Sequence, residues 1–133
     1  MTTPQQFLES LFREKVAVYA EANVRLEPIY AKYFGEPLAK HTRDFLLQEK
    51  VVEFIDDVKE SSGSAVVITS IRSQRWASAV IRARYHLVTL GGDWKIIRID
   101  RECLYCRGTG KSGSEACQKC GGEGWIDRRK DAA

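Results

Sequence analysis

The first 102 residues contain no cysteine; all four cysteines fall at positions 103, 106, 117 and 120. A disulfide framework spreads its cysteines through the fold, so this clustering speaks against one and for a local metal site in a reducing compartment. Histidine is scarce. His41 lies in a basic run with Lys40 and Arg43, and His86 alternates with Arg82 and Arg84, so neither has the surroundings of a catalytic base. No apolar run approaches the ~18 residues that span a bilayer. The stretch Met1 to Arg13 is interrupted by Glu9 and lacks the apolar core of a secretory signal, so the expectation is a cytoplasmic protein with no membrane segment. A strong charge of one sign is also missing. The formal net charge is +3, and four thiolates holding one zinc would lower it by two, which gives little support to nucleic-acid binding through bulk charge.

What is present is an ordinary globular composition, 44% hydrophobic and 29% charged over 133 residues, enough for one core and a small appendage. Thr3-Pro4-Gln5-Gln6 opens a helix, with Thr3 as cap, Pro4 at the first helical position and Gln6 as capping-box partner. Phe7, Leu8, Leu11, Phe12, Val18, Tyr19, Ala22 and Leu26 follow helical spacing, and Pro28 breaks the run. A short second helix over 28–34 carries Ile29, Tyr30, Tyr33 and Phe34 and stops at Gly35. The segment 38–48 has room for a third. From position 50 the grammar changes to strands, at 51–58, 65–71, 76–90 and 94–101, with turns at Ser61-Ser62-Gly63-Ser64 and Gly91-Gly92. Helices followed by hairpin-linked strands predict an α+β fold with an antiparallel sheet.

This order resembles the nuclear transport factor 2-like superfamily. The resemblance is carried by the aromatic helices (Tyr19, Tyr30, Tyr33, Phe34) and by the ending Tyr85-His86-Leu87-Val88-Thr89-Leu90-Gly91-Gly92-Asp93-Trp94-Lys95-Ile96. It implies N-terminal helices packed on a curved antiparallel sheet over residues 1–102. Such folds enclose a cavity that hosts enzymes in some members and binding functions in others.

The segment 103–124 writes one eight-residue pattern twice: Cys103-Leu-Tyr-Cys106-Arg-Gly108-Thr-Gly110 and Cys117-Gln-Lys-Cys120-Gly-Gly122-Glu-Gly124. Two residues between cysteines let both sulfurs face one metal from a tight turn, and two facing turns complete a tetrahedral set. Cys103, Cys106, Cys117 and Cys120 are therefore the expected ligands of one structural zinc. A redox dithiol needs only one such pair, and iron–sulfur ligation is the alternative using the same four residues. The pattern resembles the zinc domain of DnaJ-type chaperones, whose repeating unit it is. That family carries four copies and two zinc ions; this chain has two copies and fills one site. No His-Pro-Asp tripeptide occurs, so the J-domain role is not implied, and what remains is peptide binding or docking.

Two further sets stand beside plainer readings. Asp56 shares strand parity with Val52, Phe54 and Val58, so alternation turns it inward, where with Tyr85 it would make a candidate catalytic pair; the plain reading is a solvated carboxylate and a core tyrosine. Arg82, Arg84 and His86 share the opposite face of the long strand and are the candidate partner-binding residues; the plain reading is a solvated polar face. Trp125 or Leu104 is expected to dock the zinc hairpin on the body, because Arg101-Glu102 runs into Cys103 without a linker. The domain expectation is a body over 1–102, a zinc hairpin over 103–127 and a basic tail over 128–133. The functional expectation is a non-catalytic protein-interaction module with a protein or peptide partner, and a homodimer is compatible with it. The alternatives are a small enzyme or ligand-binding protein using the helix–sheet cavity, and a nucleic-acid binder using the arginines and the zinc turns.

Overall fold

A computed structural model of the protein describes residues 2–20, 27–35, 51–73 and 80–128. Helix α1 (Pro4–Ala20) begins as its sequence dictates. The Gln6 amide donates to Thr3 Oγ1 at 3.1 Å, and the Thr3 amide donates to Gln6 Oε1 at 3.0 Å, a complete capping box. Helix α2 (Glu27–Tyr33) ends against the sheet. Lys95 Nζ donates to the carbonyls of Ala31 and Lys32 at 2.7 Å each, occupying carbonyls that the helix end leaves open. The expected helix over 38–48 and the residues Ala22 and Leu26 lie outside the described residues.

Strands β1 (Val51–Ser61), β2 (Ser64–Ser73), β3 (Val80–Leu90) and β4 (Asp93–Glu102) form an antiparallel meander. The α+β architecture read from the sequence is thus the one observed. The Gly91-Gly92 turn between β3 and β4 has both residues at positive φ (62° and 88°), the geometry of a primed hairpin turn. A fifth strand, β7 (Trp125–Asp127), pairs antiparallel with β4, Glu102 opposite Trp125 and Asp100 opposite Asp127. Between β4 and β7 lies the cysteine hairpin, with its own ribbon of β5 (Lys111–Ser112) and β6 (Glu115–Ala116). Residues 125–127, read from the sequence as the end of the hairpin, therefore belong to the main sheet. Arg128, read as the start of the basic tail, is buried.

The helices cover one face of the sheet. Leu8, Leu11, Tyr33, Val67, Tyr85, Leu87, Ile96 and Ile99 are almost wholly buried there, each worth about 1.5–3 kcal/mol of apolar burial. Trp94 Nε1 donates to the Thr2 carbonyl at 2.9 Å and pins the chain start to β4.

Inside this apolar layer sits a polar cluster. Lys15 Nζ lies 2.8 Å from Glu53 Oε1, with side chains 5% and 2% exposed. Tyr85 donates its hydroxyl to Glu53 Oε2 at 2.6 Å, and Thr69 donates to the same oxygen at 3.3 Å. Each partner finds its complement, which is what makes burial of the charges tolerable. Removing Lys15 alone leaves a buried carboxylate without its cation, so Lys15→Ala is expected to lower stability in urea unfolding by about 3–5 kcal/mol. A Lys15→Met/Glu53→Leu double variant, which removes both charges, is expected to recover most of that loss.

Candidate metal centre and the faces around it

The cysteine hairpin is a pair of quasi-equivalent halves. Gly110 N donates to Cys106 Sγ at 3.3 Å, and Gly124 N donates to Cys120 Sγ at 3.2 Å. Across the halves, Cys103 N donates to the Gly124 carbonyl and Cys117 N to the Gly110 carbonyl, both at 2.9 Å. The repeated sequence thus makes a repeated structure, each half closed by the other.

Two glycines carry that closure. Gly110 (φ 76°) and Gly124 (φ 82°) lie in the left-handed region, and a Cβ on either would run into the carbonyl of Gly122 or of Gly108 respectively. Arg107, directly after Cys106, is the lone non-glycine with positive φ among the described residues (53°), and its counterpart in the second half is Gly121 (φ 70°).

The four sulfurs all lie within 4.8 Å of one another. Cys103 and Cys117 sulfurs are 3.8 Å apart, and those of Cys106 and Cys120 are 3.7 Å apart. A tetrahedron with metal–sulfur bonds of ~2.3 Å has edges of ~3.8 Å, whereas a disulfide would bring two sulfurs to ~2.05 Å. The spacing therefore fits a four-thiolate metal site. The local field fits too. Burial pushes the Cys106 thiol up, but the Gly110 amide and the neighbouring sulfurs of Cys120 and Cys103 outweigh it and bring it down to about 6. The Cys106 amide pulls the Cys103 thiol down, yet burial and hydrogen bonds with Cys106 and Cys117 leave it raised. Four sulfurs this close cannot all ionise unaided; a dication removes their repulsion.

The hairpin docks through Trp125. Its ring packs against the guanidinium of Arg84 at 4.8 Å and of Arg82 at 5.5 Å, a contact of the cation–π class. Leu104, the other expected anchor, is 47% exposed.

Arg82, Arg84 and His86 do share one face of β3, as alternation predicts, opposite buried Ala83, Tyr85 and Leu87. What the sequence reading missed is the acid beneath them. Asp100 is fully buried and takes Arg84 Nη2 and Arg98 Nε at 2.7 Å and His86 Nε2 at 2.8 Å. Arg82 pairs with Glu102. The missed signal is strand parity in β4, which places Arg98, Asp100 and Glu102 on the same face as Arg82 and Arg84.

Asp56 is corrected. It lies exposed on the outer face, bonded to Ser70 Oγ. A β-bulge at this residue, between Ile55 and Asp57, breaks the alternation, so Glu53 and Ile55 point inward before it and Val58 after it, while Phe54 is 49% exposed. Asp56 and Tyr85 are not brought together; the carboxylate at the Tyr85 hydroxyl is Glu53.

Burial alone would raise the Asp100 carboxyl, but hydrogen bonds from His86, Arg98 and Arg84 hold it well below the ordinary carboxylate range. A depressed folded-state pKa contributes stability that is full above the unfolded value near ~4 and lost as pH falls below it. Asp100→Asn is expected to cost about 2–3 kcal/mol at neutral pH, the lower end for a buried pair because solvent reaches both guanidiniums. The gap between wild type and variant in urea titrations at pH 7, 5 and 3 is expected to close toward the lowest pH.

Among the described residues no helix is long and apolar enough to cross a membrane. No protein-family model matches the chain, and neither does any curated protein.

Proposed function

We propose that this chain is a non-catalytic protein-interaction module whose sheet edge is built by one structural zinc ion. The observation that carries it is the closed set of four sulfurs, spaced as tetrahedral edges and joined to the sheet through Cys103 at one end and Trp125 at the other. Four thiolates fill the coordination sphere of zinc and leave no position for water or substrate, so the ion stabilises structure and activates nothing. In this reading the hairpin is a half-length finger of the DnaJ type. The body is of the nuclear transport factor 2-like kind, supported by its aromatic α2 and its sequential meander. The sheet face bearing Arg82, Arg84 and His86 is its docking surface.

A small enzyme or ligand-binding protein using the helix–sheet interior is the second reading. Buried Lys15, Glu53 and Tyr85 favour it, because acids, lysines and phenols at close quarters are the stuff of proton transfer. Against it, each of the three is already occupied by another.

Metal analysis of the freshly purified chain is expected to give one zinc per chain. Cobalt substitution is expected to give the intense thiolate-to-metal bands of a four-sulfur site. Less than about half an equivalent, or an iron–sulfur chromophore, contradicts the reading. Cys117→Ser is expected to lose the metal and the Trp125 docking while helices and meander stay folded. It is also expected to lose whatever partner co-purifies with the tagged wild type.

A further inference from the structure

The two halves of the cysteine hairpin are alike in sequence and in their internal bonds, yet the sheet holds them unequally. Gly108 and Gly122 are equivalent positions, two residues after Cys106 and Cys120. A Cβ on Gly108 would meet Arg82 Nη2 at 2.9 Å and Glu102 Cγ at 3.6 Å, both from the body. A Cβ on Gly122 would meet Ala116 Cβ at 3.3 Å and the Gly110 carbonyl oxygen at 3.8 Å, both from the hairpin itself. Gly121, directly after Cys120, has nothing within 4 Å of that position.

Arg82 is the source of the difference. It stands on β3 beside Ala83, whose partner on β4 is Arg101, so its row continues through Glu102 to Trp125, the residue opposite Glu102 on β7. Its guanidinium is ion-paired to Glu102, the residue before Cys103. The same group lies 5.5 Å from the Trp125 ring centre and against Gly108, inside the turn that Gly110 closes by donating to Cys106 Sγ. One planar fork of donors thus touches the lead-in to Cys103, the turn after Cys106 and the strand that leaves the hairpin. Four thiolates with one dication carry a net negative charge, which a guanidinium beside the first half complements.

The second half is more open. Cys103, Cys106 and Cys117 are 0%, 7% and 2% exposed, whereas Cys120 is only partly buried. A groove of about 280 Å³, lined by Tyr105, Ser112, Glu115, Lys119 and Cys117, reaches the other sulfur of that half.

We infer that Arg82 is a positioning residue of the metal centre and that the centre opens at its second half. Arg82 keeps Cys103 and Cys106 in place. Cys120 comes away first and Cys117 next, and that side admits a competing soft ligand of the thiolate class. The inference rests on the zinc-built reading and adds to it the side on which the site exchanges.

Two measurements on the zinc-loaded full chain test this. Under limiting iodoacetamide, mass spectrometry of the digested chain is expected to find Cys120 alkylated first and Cys103 and Cys106 last. Zinc release to a chromogenic chelator is expected to be about 10–100-fold faster in Arg82→Gln, and Cys106 in that variant is expected to react alongside Cys120. Arg82→Lys keeps the charge without the fork and is expected to fall between wild type and Arg82→Gln. The Arg82 side chain is 44% exposed, so its variants keep the helices and meander, and far-ultraviolet circular dichroism checks that; the labelling order of the wild type stands without them. First labelling anywhere but at Cys120, or all four thiols reacting at one rate, overturns the inference. So does an Arg82→Gln chain with the wild-type release rate or the wild-type labelling order. Zinc content of the same samples separates the two readings: a chain that holds one zinc and fails these tests sinks this inference alone, and a folded chain that takes up no zinc sinks the zinc-built module.

Discussion

Strand β4 does not stop where the body stops. It runs from Asp93 through Glu102, and the next residue is a metal-site cysteine. The same ten residues give the core Trp94, Ile96 and Ile99 on one face and the outer surface Asp100 and Glu102 on the other. One strand is thus wall, floor and hinge-free lead-in. Because no flexible residue separates Glu102 from Cys103, the orientation of the first sulfur is set by the sheet. The Cys103 amide is spent on the Gly124 carbonyl, and one residue later the chain re-enters the sheet as β7. The four-sulfur cluster lies where two neighbouring strands, β4 and β7, have their common end.

The two faces of the sheet solve the same electrostatic problem in different ways. On the inner face one carboxylate, Glu53, is held by one cation and two hydroxyls, all buried. On the outer face one carboxylate, Asp100, is held by two arginines and a histidine that remain partly in water. The inner cluster ties α1 to β1, β2 and β3. The outer one ties β3 to β4, and Asp127 of β7 approaches Arg98 at 3.7 Å. A sheet with apolar residues at these positions would be held as well. The polar version fixes which strand lies beside which, because each acid has only one set of donors within reach.

Periodicity made much of this legible. Thr3 and Gln6 announce the first helix, Gly91-Gly92 the last tight turn of the meander, and the alternation of Ala83, Tyr85 and Leu87 the inner face of β3. The doubled cysteine pattern announces the four-sulfur cluster, since ligand type and spacing are local properties. What alternation cannot see is a bulge. One extra residue at Asp56 reverses the parity of β1, so Phe54, which alternation places inward with Asp56 and Val58, is half-exposed, and Glu53 points into the core in its stead. A clue was present in α1, where Lys15 stands on the stripe of Leu8 and Leu11 and is buried with them. A lysine on an apolar stripe requires an acid across the interface. The return of residues 125–127 to β4 was hidden for a different reason: it depends on pairing between segments, which a single strand's pattern does not encode.

The composition of the hairpin explains what a metal held by the four sulfurs would do for it. Between Cys103 and Gly124 the large apolar side chains are Leu104 and Tyr105, 47% and 75% exposed. The buried cluster of this region consists of the cysteines themselves with Ile126 packed alongside. A loop this small and this rich in glycine cannot offset its ordering entropy by apolar burial, and four sulfurs sharing an ion would stand in for a core. That substitution has a structural consequence at the sheet. An unpaired β4 edge would present open donors and acceptors to any passing strand; the three residues of β7 cover its end. Trp125 then carries the effect onto the outer face, where it packs over Arg82 and Arg84. The four-cysteine hairpin thus reaches, through Trp125, the sheet surface next to it.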